Sequence, residues 1–185
     1  TFSFFPGKNL GGFGDGGALI TNSKKIFEYA LRMRNHGAKI KYDHKFSGRN
    51  SRLDTIQAAV LNIKLKNYNA VIKKRNKLAK LYIKNLYNCK DIFIIKIKKN
   101  CTYAFHQFVI RTIKRDSLIK YLRKNGIDTM IHYPYMLNEV NFFPNGENLK
   151  NSKNLGKKIL SLPISEEHTE KEIDYVSKKI IQFYR

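Results

Sequence analysis

Residues 4–17, FFPGKNLGGFGDGG, set one lysine, Lys8, in a run with six glycines and a proline. Glycine has no Cβ, so the backbone here can come close to whatever the lysine touches. Two chemistries fit an amine so placed: an ammonium neutralising a phosphate, or a nucleophile on a carbonyl. The phosphate-loop patterns fail on context. Residues 12–17 match G-x-G-x-x-G, but that fingerprint needs a strand before it and a helix after it, and here the strand-like ALITN comes after. A P-loop lysine closes its glycine loop and is followed by Ser or Thr, whereas Lys8 is followed by Asn9 and the glycines come later. A lysine becomes nucleophilic when its ammonium is destabilised; a Phe4-Phe5-Pro6 wall supplies desolvation, and small glycines leave room for a flat cofactor. Such a lysine forms a Schiff base with pyridoxal phosphate. On these residues alone, a surface turn explains Gly7-Lys8 equally well.

The chain has 185 residues and is 42% hydrophobic, enough for a core in one domain or one and a half. No stretch nears the ~20 uninterrupted apolar residues of a membrane span, and the opening does not resemble a signal peptide, so a soluble protein is expected. The chain opens on Thr1 and directly on strand-like aromatics, from which a start inside a domain is expected. Cys89 and Cys101 are twelve residues apart with no CxxC pattern. That supports neither a metal site nor a disulfide framework, and reduced thiols in a cytoplasm are expected. A net charge of +22 raises nucleic acid as a partner. The 36 basic residues are 27 Lys and 9 Arg, however, spread along every predicted helix. No RRM, zinc-finger or helix-turn-helix signature accompanies them. A biased, solvated surface is therefore the expected reading, with a basic nucleic-acid-binding protein as its rival.

The elements that must position Lys8 follow from patterning. GALITN (17–22) reads as a short buried strand. SKKIFEYALRMRNHG predicts a helix opened by Ser23, with Ile26, Tyr29, Ala30 and Met33 at helical spacing and a stop at Gly37. Residues 38–50 form a polar, aromatic, glycine-broken loop. SRLD (51–54) fits a capping pattern in which Ser51 accepts an early backbone N–H, and the helix it opens runs for about thirty residues without Pro or Gly. A helix of that length links two domains or crosses a subunit interface. CKDIFIIKIKKN and TYAFHQFVIRT predict strands divided by a turn at Asn100. Residues 116–126 predict a helix capped by Asp116 and stopped at Gly126, and 128–135 a strand ending at a proline. Leu149 to Leu160 predicts a helix, and Thr169-x-x-Glu172 a capping box before a face of Ile173, Val176, Ile180 and Phe183. The order is the end of an α/β domain followed by a small α+β unit.

TFSFFPGKNLGGFGDGGALITN resembles the Schiff-base segment of the DegT/DnrJ/EryC1/StrS family of sugar-nucleotide aminotransferases. The likeness continues in family order through NHG, KYDH, GRNSRLDTIQAAVL, FHQFVIR, IHYP and LSLPISEEHTEKEIDYV, across nearly the whole chain. It implies an α/β fold, the type I fold of pyridoxal-phosphate-dependent transferases, like aspartate aminotransferase. Residues 1–53 would close the large cofactor-binding domain, 54–88 form a long connecting helix and 89–185 the small α+β domain. The implied reaction moves an amino group, usually from L-glutamate, to a keto group of a nucleotide-linked deoxysugar. The implied setting is lipopolysaccharide or other glycan biosynthesis, by a cytoplasmic homodimer with shared active sites.

Carried over residue by residue, the resemblance implies that Lys8 holds pyridoxal 5'-phosphate and relays a proton between cofactor and substrate carbons. Ser3 matches the serine that hydrogen-bonds the cofactor phosphate, and Asn50 the asparagine that reaches the phosphate held in the neighbouring subunit. Tyr42 and His44 fall where the family's loop approaches the nucleotide diphosphate, and His132 and Tyr133 fall near the sugar. For Asn50 and these four, ordinary loop packing is the competing reading. Phe5 departs from members that carry Tyr there, which leaves phosphate recognition to other groups. The family's aspartate against the pyridinium nitrogen, its ring over the cofactor face and further phosphate donors belong to a preceding half. The 185 residues alone are therefore expected to be inactive, and a truncated remnant is a second rival. A dehydratase branch replaces the lysine with histidine, so Lys8 argues against it.

Overall fold

A computed structural model describes residues 1–140 and 149–185, which include every site residue named above. The chain divides into two compact units, Thr1–Asn69 and Ala70–Arg185.

In the first unit, β1 (Phe2–Ser3) pairs antiparallel with β2 (Gly17–Ala18), in the register Phe2 with Ala18 and Ser3 with Gly17. The strand expected over 17–22 stops at Ala18, and Leu19 and Ile20 lie exposed beyond the pairing. Helix α1 (Lys24–Met33) opens as expected, with the Ser23 hydroxyl accepting from the Ile26 N–H. Its apolar stripe forms but is not covered: none of its residues is buried, and Ile26 and Tyr29 are about half exposed. Helix α2 (Thr55–Lys66) begins at Asp54, not Ser51, and the Asp54 side chain makes no cap bond. The Ser51 N–H instead donates to the Arg34 carbonyl at 2.9 Å, which ties residue 51 to the end of α1.

The single helix expected over 54–88 is two helices, α2 and α3 (Tyr68–Leu86), broken at Asn67 with φ −106° and ψ 6°. Asparagine competes with the backbone for hydrogen bonds, which makes it a weak link in a helix.

The second unit packs α3, α4 (Arg115–Lys124) and α6 (Glu170–Phe183) with an antiparallel sheet of order β3-β4-β5. The strands are β3 (Phe93–Ile94), β4 (Phe108–Arg111) and β5 (Ile159–Leu162). Period-two alternation sends Phe108 and Ile110 inward opposite Leu162 and Leu160. Leu78, Leu118, Leu122 and Ile173 are completely buried there, each such side chain contributing about 2 kcal/mol of hydrophobic stabilisation. Tyr82 stacks on Phe108 and donates its hydroxyl proton to the Pro163 carbonyl at 2.9 Å; burial pushes its phenol pKa up.

Helix α4 starts at Arg115, with Asp116 in its first turn and not at the cap. The carboxylate there still suits the helix dipole, and Gly126, at φ +74°, ends the segment as expected. The helix expected over 149–160 stops early: α5 covers Lys150–Gly156, and 159–162 is drawn into the sheet by pairing with β4. The strand expected over 128–135 reduces to one bridge, Met130 with Ser161; Pro134 lacks an N–H and restricts the residue before it. The Thr169 box forms as read. Glu172 accepts from the Thr169 N–H at 2.7 Å, which holds its carboxyl below the usual range, and Thr169 Oγ1 accepts from the Glu172 N–H.

Candidate active site

Lys8 sits on a turn closed by its own N–H donating to the Phe5 carbonyl at 2.9 Å, and its side chain is half-buried. The segment on either side is pinned to itself, with Phe4 N–H donating to Gly16 O and Gly12 N–H to Phe4 O, both at 2.8 Å. It is also pinned to α2. Gln57 Oε1 accepts from the Phe13 N–H at 2.7 Å, and Lys64 Nζ donates to the Gly11 carbonyl at 2.7 Å. A Cβ at Gly11 would collide with the Pro6 carbonyl oxygen, a backbone atom, so the turn requires glycine there. The glycine run is thus a rigid platform for the amine. Sequence reasoning missed both anchors. Gln57 lies inside the quoted DTIQAAVL motif, but partners 44 and 53 residues away leave no local signature.

Ser3 ends β1 just before this turn, and its Oγ accepts weakly from the Phe5 N–H at 3.4 Å. An amine and a hydroxyl on one pinned strand-turn are the donor set that an aldehyde bearing a phosphate requires, so the residues present fit pyridoxal phosphate.

Loop 38–50 is well tied down. Arg49 N–H donates to Met33 O at 2.7 Å, His36 N–H to Arg49 O at 3.0 Å, and Lys45 N–H to Gly37 O at 3.0 Å. Gly37, at φ +78°, faces the Phe46 carbonyl so closely that any Cβ would collide with it. Asp43 takes Lys45 Nζ at 2.7 Å and Arg32 NH1 at 3.4 Å. The hydrogen bond from Lys45, with Arg32 behind it, holds the Asp43 carboxyl below the usual range. This frame carries Tyr42 at φ +70° with 80% of its surface exposed. His44 Nδ1 lies 2.8 Å from the His36 carbonyl; a carbonyl only accepts, so Nδ1 carries the proton and Nε2 is left for a ligand.

Asn50 closes the loop and lines a polar hollow with Arg34, Arg52, Leu53, Asp54 and Thr55. Arg52 Nε donates to Asn50 Oδ1 at 2.9 Å, so the amide oxygen is taken and the Nδ2 donors remain.

His132 and Tyr133 belong to the second unit. His132 is half-buried, its Nδ1 lies 2.9 Å from Ser161 Oγ, and Tyr133 meets its ring edge-on at 5.6 Å. Tyr133 itself is 65% exposed. The site residues therefore form three local groups: Ser3 with Lys8, Tyr42 with His44 and Asn50, and His132 with Tyr133. Among the described residues no group of His, Cys, Asp or Glu could hold a metal, and no helix is long and apolar enough to cross a membrane.

The sequence profile of the DegT/DnrJ/EryC1/StrS aminotransferase family matches residues 1–181. The pleiotropic regulatory protein of Geobacillus stearothermophilus is 39% identical over 192 residues, covering 100% of this chain and 51% of that protein. The dTDP-3-amino-3,4,6-trideoxy-alpha-D-glucose transaminase of Streptomyces venezuelae is 38% identical over 167 residues, covering 88% of this chain and 44% of that one. The crystal structure of S. venezuelae DesV in complex with a ketimine intermediate matches with a TM-score of 0.96 at 34% identity, over 100% of this chain and 51% of that one. The expected α/β type I transferase fold thus stands, and so does the expected cofactor, since this family depends on pyridoxal phosphate. The chain spans about half the length of the relatives it matches.

Proposed function

Because this chain belongs to the DegT/DnrJ/EryC1/StrS aminotransferase family, we propose that the protein containing it moves an amino group from L-glutamate to a keto group of a nucleotide-linked deoxysugar. The product would serve the building of cell-surface glycans, in the cytoplasm. The observation that carries the reading is Lys8, a primary amine half-buried on a glycine platform pinned to itself and to α2. The Streptomyces venezuelae relative supports the substrate class, since its name gives a nucleotide-linked trideoxysugar as the aminated product.

When bound, pyridoxal phosphate supplies the electron sink that makes a proton on the amine-bearing carbon removable. Lys8 Nζ would hold that group between turnovers and, once released from it by the incoming amine, would carry the proton between the substrate carbon and the cofactor carbon. Ser3 Oγ donates to the phosphate. Tyr42 and His44 contact the nucleotide diphosphate, and His132 and Tyr133 contact the sugar. The hydrogen-bonded frame of loop 38–50 lowers the ordering entropy that the Tyr42 and His44 contacts would cost. A chain of charge +22 also attracts a substrate carrying two phosphates.

The test uses the full-length protein with pyridoxal phosphate, glutamate and a nucleotide-linked keto-sugar. Mass spectrometry is expected to show the amino sugar and 2-oxoglutarate in equal amounts. Absence of both, with DNA bound at a steep salt dependence, would favour the nucleic-acid reading instead.

Asn50 acts in trans within a homodimer, its Nδ2 donating to the phosphate held beside Lys8 of the other subunit. Two features support this: Arg52 has already engaged Oδ1, and α2 leaves Ile56 and Ile63 exposed, an apolar surface of the kind a second subunit covers. Mixed full-length Lys8→Ala and Asn50→Ala subunits then form heterodimers in which one site carries both lesions and the other neither. Activity is expected to return in proportion to the heterodimer fraction. No recovery from verified heterodimers would place Asn50 in its own subunit's site or in none.

A further inference from the structure

We propose that Ser161 is the positioning residue for His132: its hydroxyl holds Nδ1 and so leaves Nε2 as the ring nitrogen offered to the substrate. The inference rests on the reading of His132 as a contact to the nucleotide sugar.

Ser161 lies in β5 between two core residues. Leu160 and Leu162 are 0% and 3% exposed, and alternation along the strand turns the Ser161 side chain to the other face. That face is closed as well, for Ser161 is only 7% exposed. Its backbone is fully engaged there, with its N–H donating to Met130 O at 2.8 Å and its carbonyl accepting from the Met130 N–H at 3.2 Å. A hydroxyl so deep costs free energy unless it has its own partner. That partner is Nδ1 of His132, at 2.9 Å and two residues along from the bridge at Met130.

The Ser–His pair does not make Ser161 a nucleophile. A nucleophile must be reached by its substrate, and here the serine is the buried member while the histidine is the half-buried one. The arrangement is that of a partner orienting a functional imidazole. The hydrogen bond at one ring nitrogen fixes the ring plane and so decides which nitrogen is left to the substrate, whichever of the two groups donates. A strand supports such a site more firmly than a free loop does, and the edge-on ring of Tyr133 packs beside it.

The test uses the full-length holoenzyme with 15N-labelled histidine, the His132 resonances being assigned by their loss in His132→Gln. Ser161→Ala is expected to move the Nδ1 resonance. It is also expected to raise KM for the keto-sugar half-reaction about tenfold while leaving the glutamate half-reaction unchanged. Ser161→Thr keeps the hydroxyl and is expected to restore both readouts. If His132→Ala leaves the keto-sugar half-reaction intact, the sugar-contact reading fails whatever Ser161 does. If His132→Ala impairs it but Ser161→Ala matches the parent in spectrum and KM, positioning by Ser161 is overturned. It is also overturned if Ser161→Ala slows both half-reactions alike or unfolds the protein, or if Ser161→Thr behaves as Ser161→Ala does, since packing and not the hydroxyl would then account for the effect.

Discussion

Replacing Lys8 with alanine in the full-length protein is expected to lower transamination by about 10³-fold or more while leaving the fold in place. The size follows from two roles lost together, the amine that anchors the cofactor and the group that moves the proton, and proton transfer by a placed side chain alone is worth 10²–10⁴-fold. The fold survives because the turn is held by main-chain bonds, Lys8 N–H to Phe5 O and Gly12 N–H to Phe4 O, and not by the lysine side chain. Circular dichroism and the unfolding midpoint should therefore match the parent. Borohydride reduction of the loaded parent, followed by peptide mass spectrometry, is expected to place the added mass on Lys8. Mass on another lysine, or a Lys8→Ala variant that still turns over at a tenth of the parent rate, would sink the assignment.

The second large effect is on stability. Arg75 is the most deeply placed charge among the described residues of the second unit, with 8% of its side chain exposed. Its guanidinium closes three contacts at once: Nε donates to Glu166 Oε2 at 2.8 Å, and NH1 to the carbonyls of Phe105 at 3.1 Å and Ile164 at 3.2 Å. One planar fork therefore ties α3 to two segments 30 and 91 residues away. Arg75→Ala strands the carboxylate and both carbonyls. Removing one partner of a buried pair costs 3–5 kcal/mol, but Glu166 is about one-third exposed and recovers some hydration, so about 3 kcal/mol is expected. At tenfold per 1.4 kcal/mol, that speeds hydrogen exchange of the α3 amides by about two orders of magnitude, provided they exchange through opening of the unit. Arg75→Lys rescues little, because a point charge cannot reproduce the fork. Exchange in Arg75→Ala within threefold of the parent would show that the clamp contributes nothing net.

What could be read along the chain is what is encoded within one turn or one motif. The turn that carries Lys8 was legible because glycines and a proline mark it, and its order of elements is wrong for a phosphate loop; the neighbours alone left the chemistry of the amine open, and the family resemblance carried that reading. The Thr169–Glu172 box and the Ser23 start of α1 were legible because each cap bonds a backbone group three residues away. The stop at Gly126 was legible because its positive φ is a local demand that glycine meets most easily.

The misreadings share a cause. Ser51 has a capping pattern, yet its N–H is claimed by Arg34, and the helix waits until Asp54. Leu149 to Leu160 has helical spacing, yet Leu160 and Leu162 gain more by pairing with Ile110 and Phe108 in the sheet. The stripe on α1 announces a buried face, whereas its exposure depends on what packs there, and spacing cannot report that. The supports of the site are of the same kind. Gln57 and Lys64 hold the glycine run from 44 and 53 residues away, and Ser161 reaches His132 across 29. A hydrogen bond between distant segments constrains neither residue's neighbours, so it leaves no period or motif behind, and only the folded chain brings its two ends together.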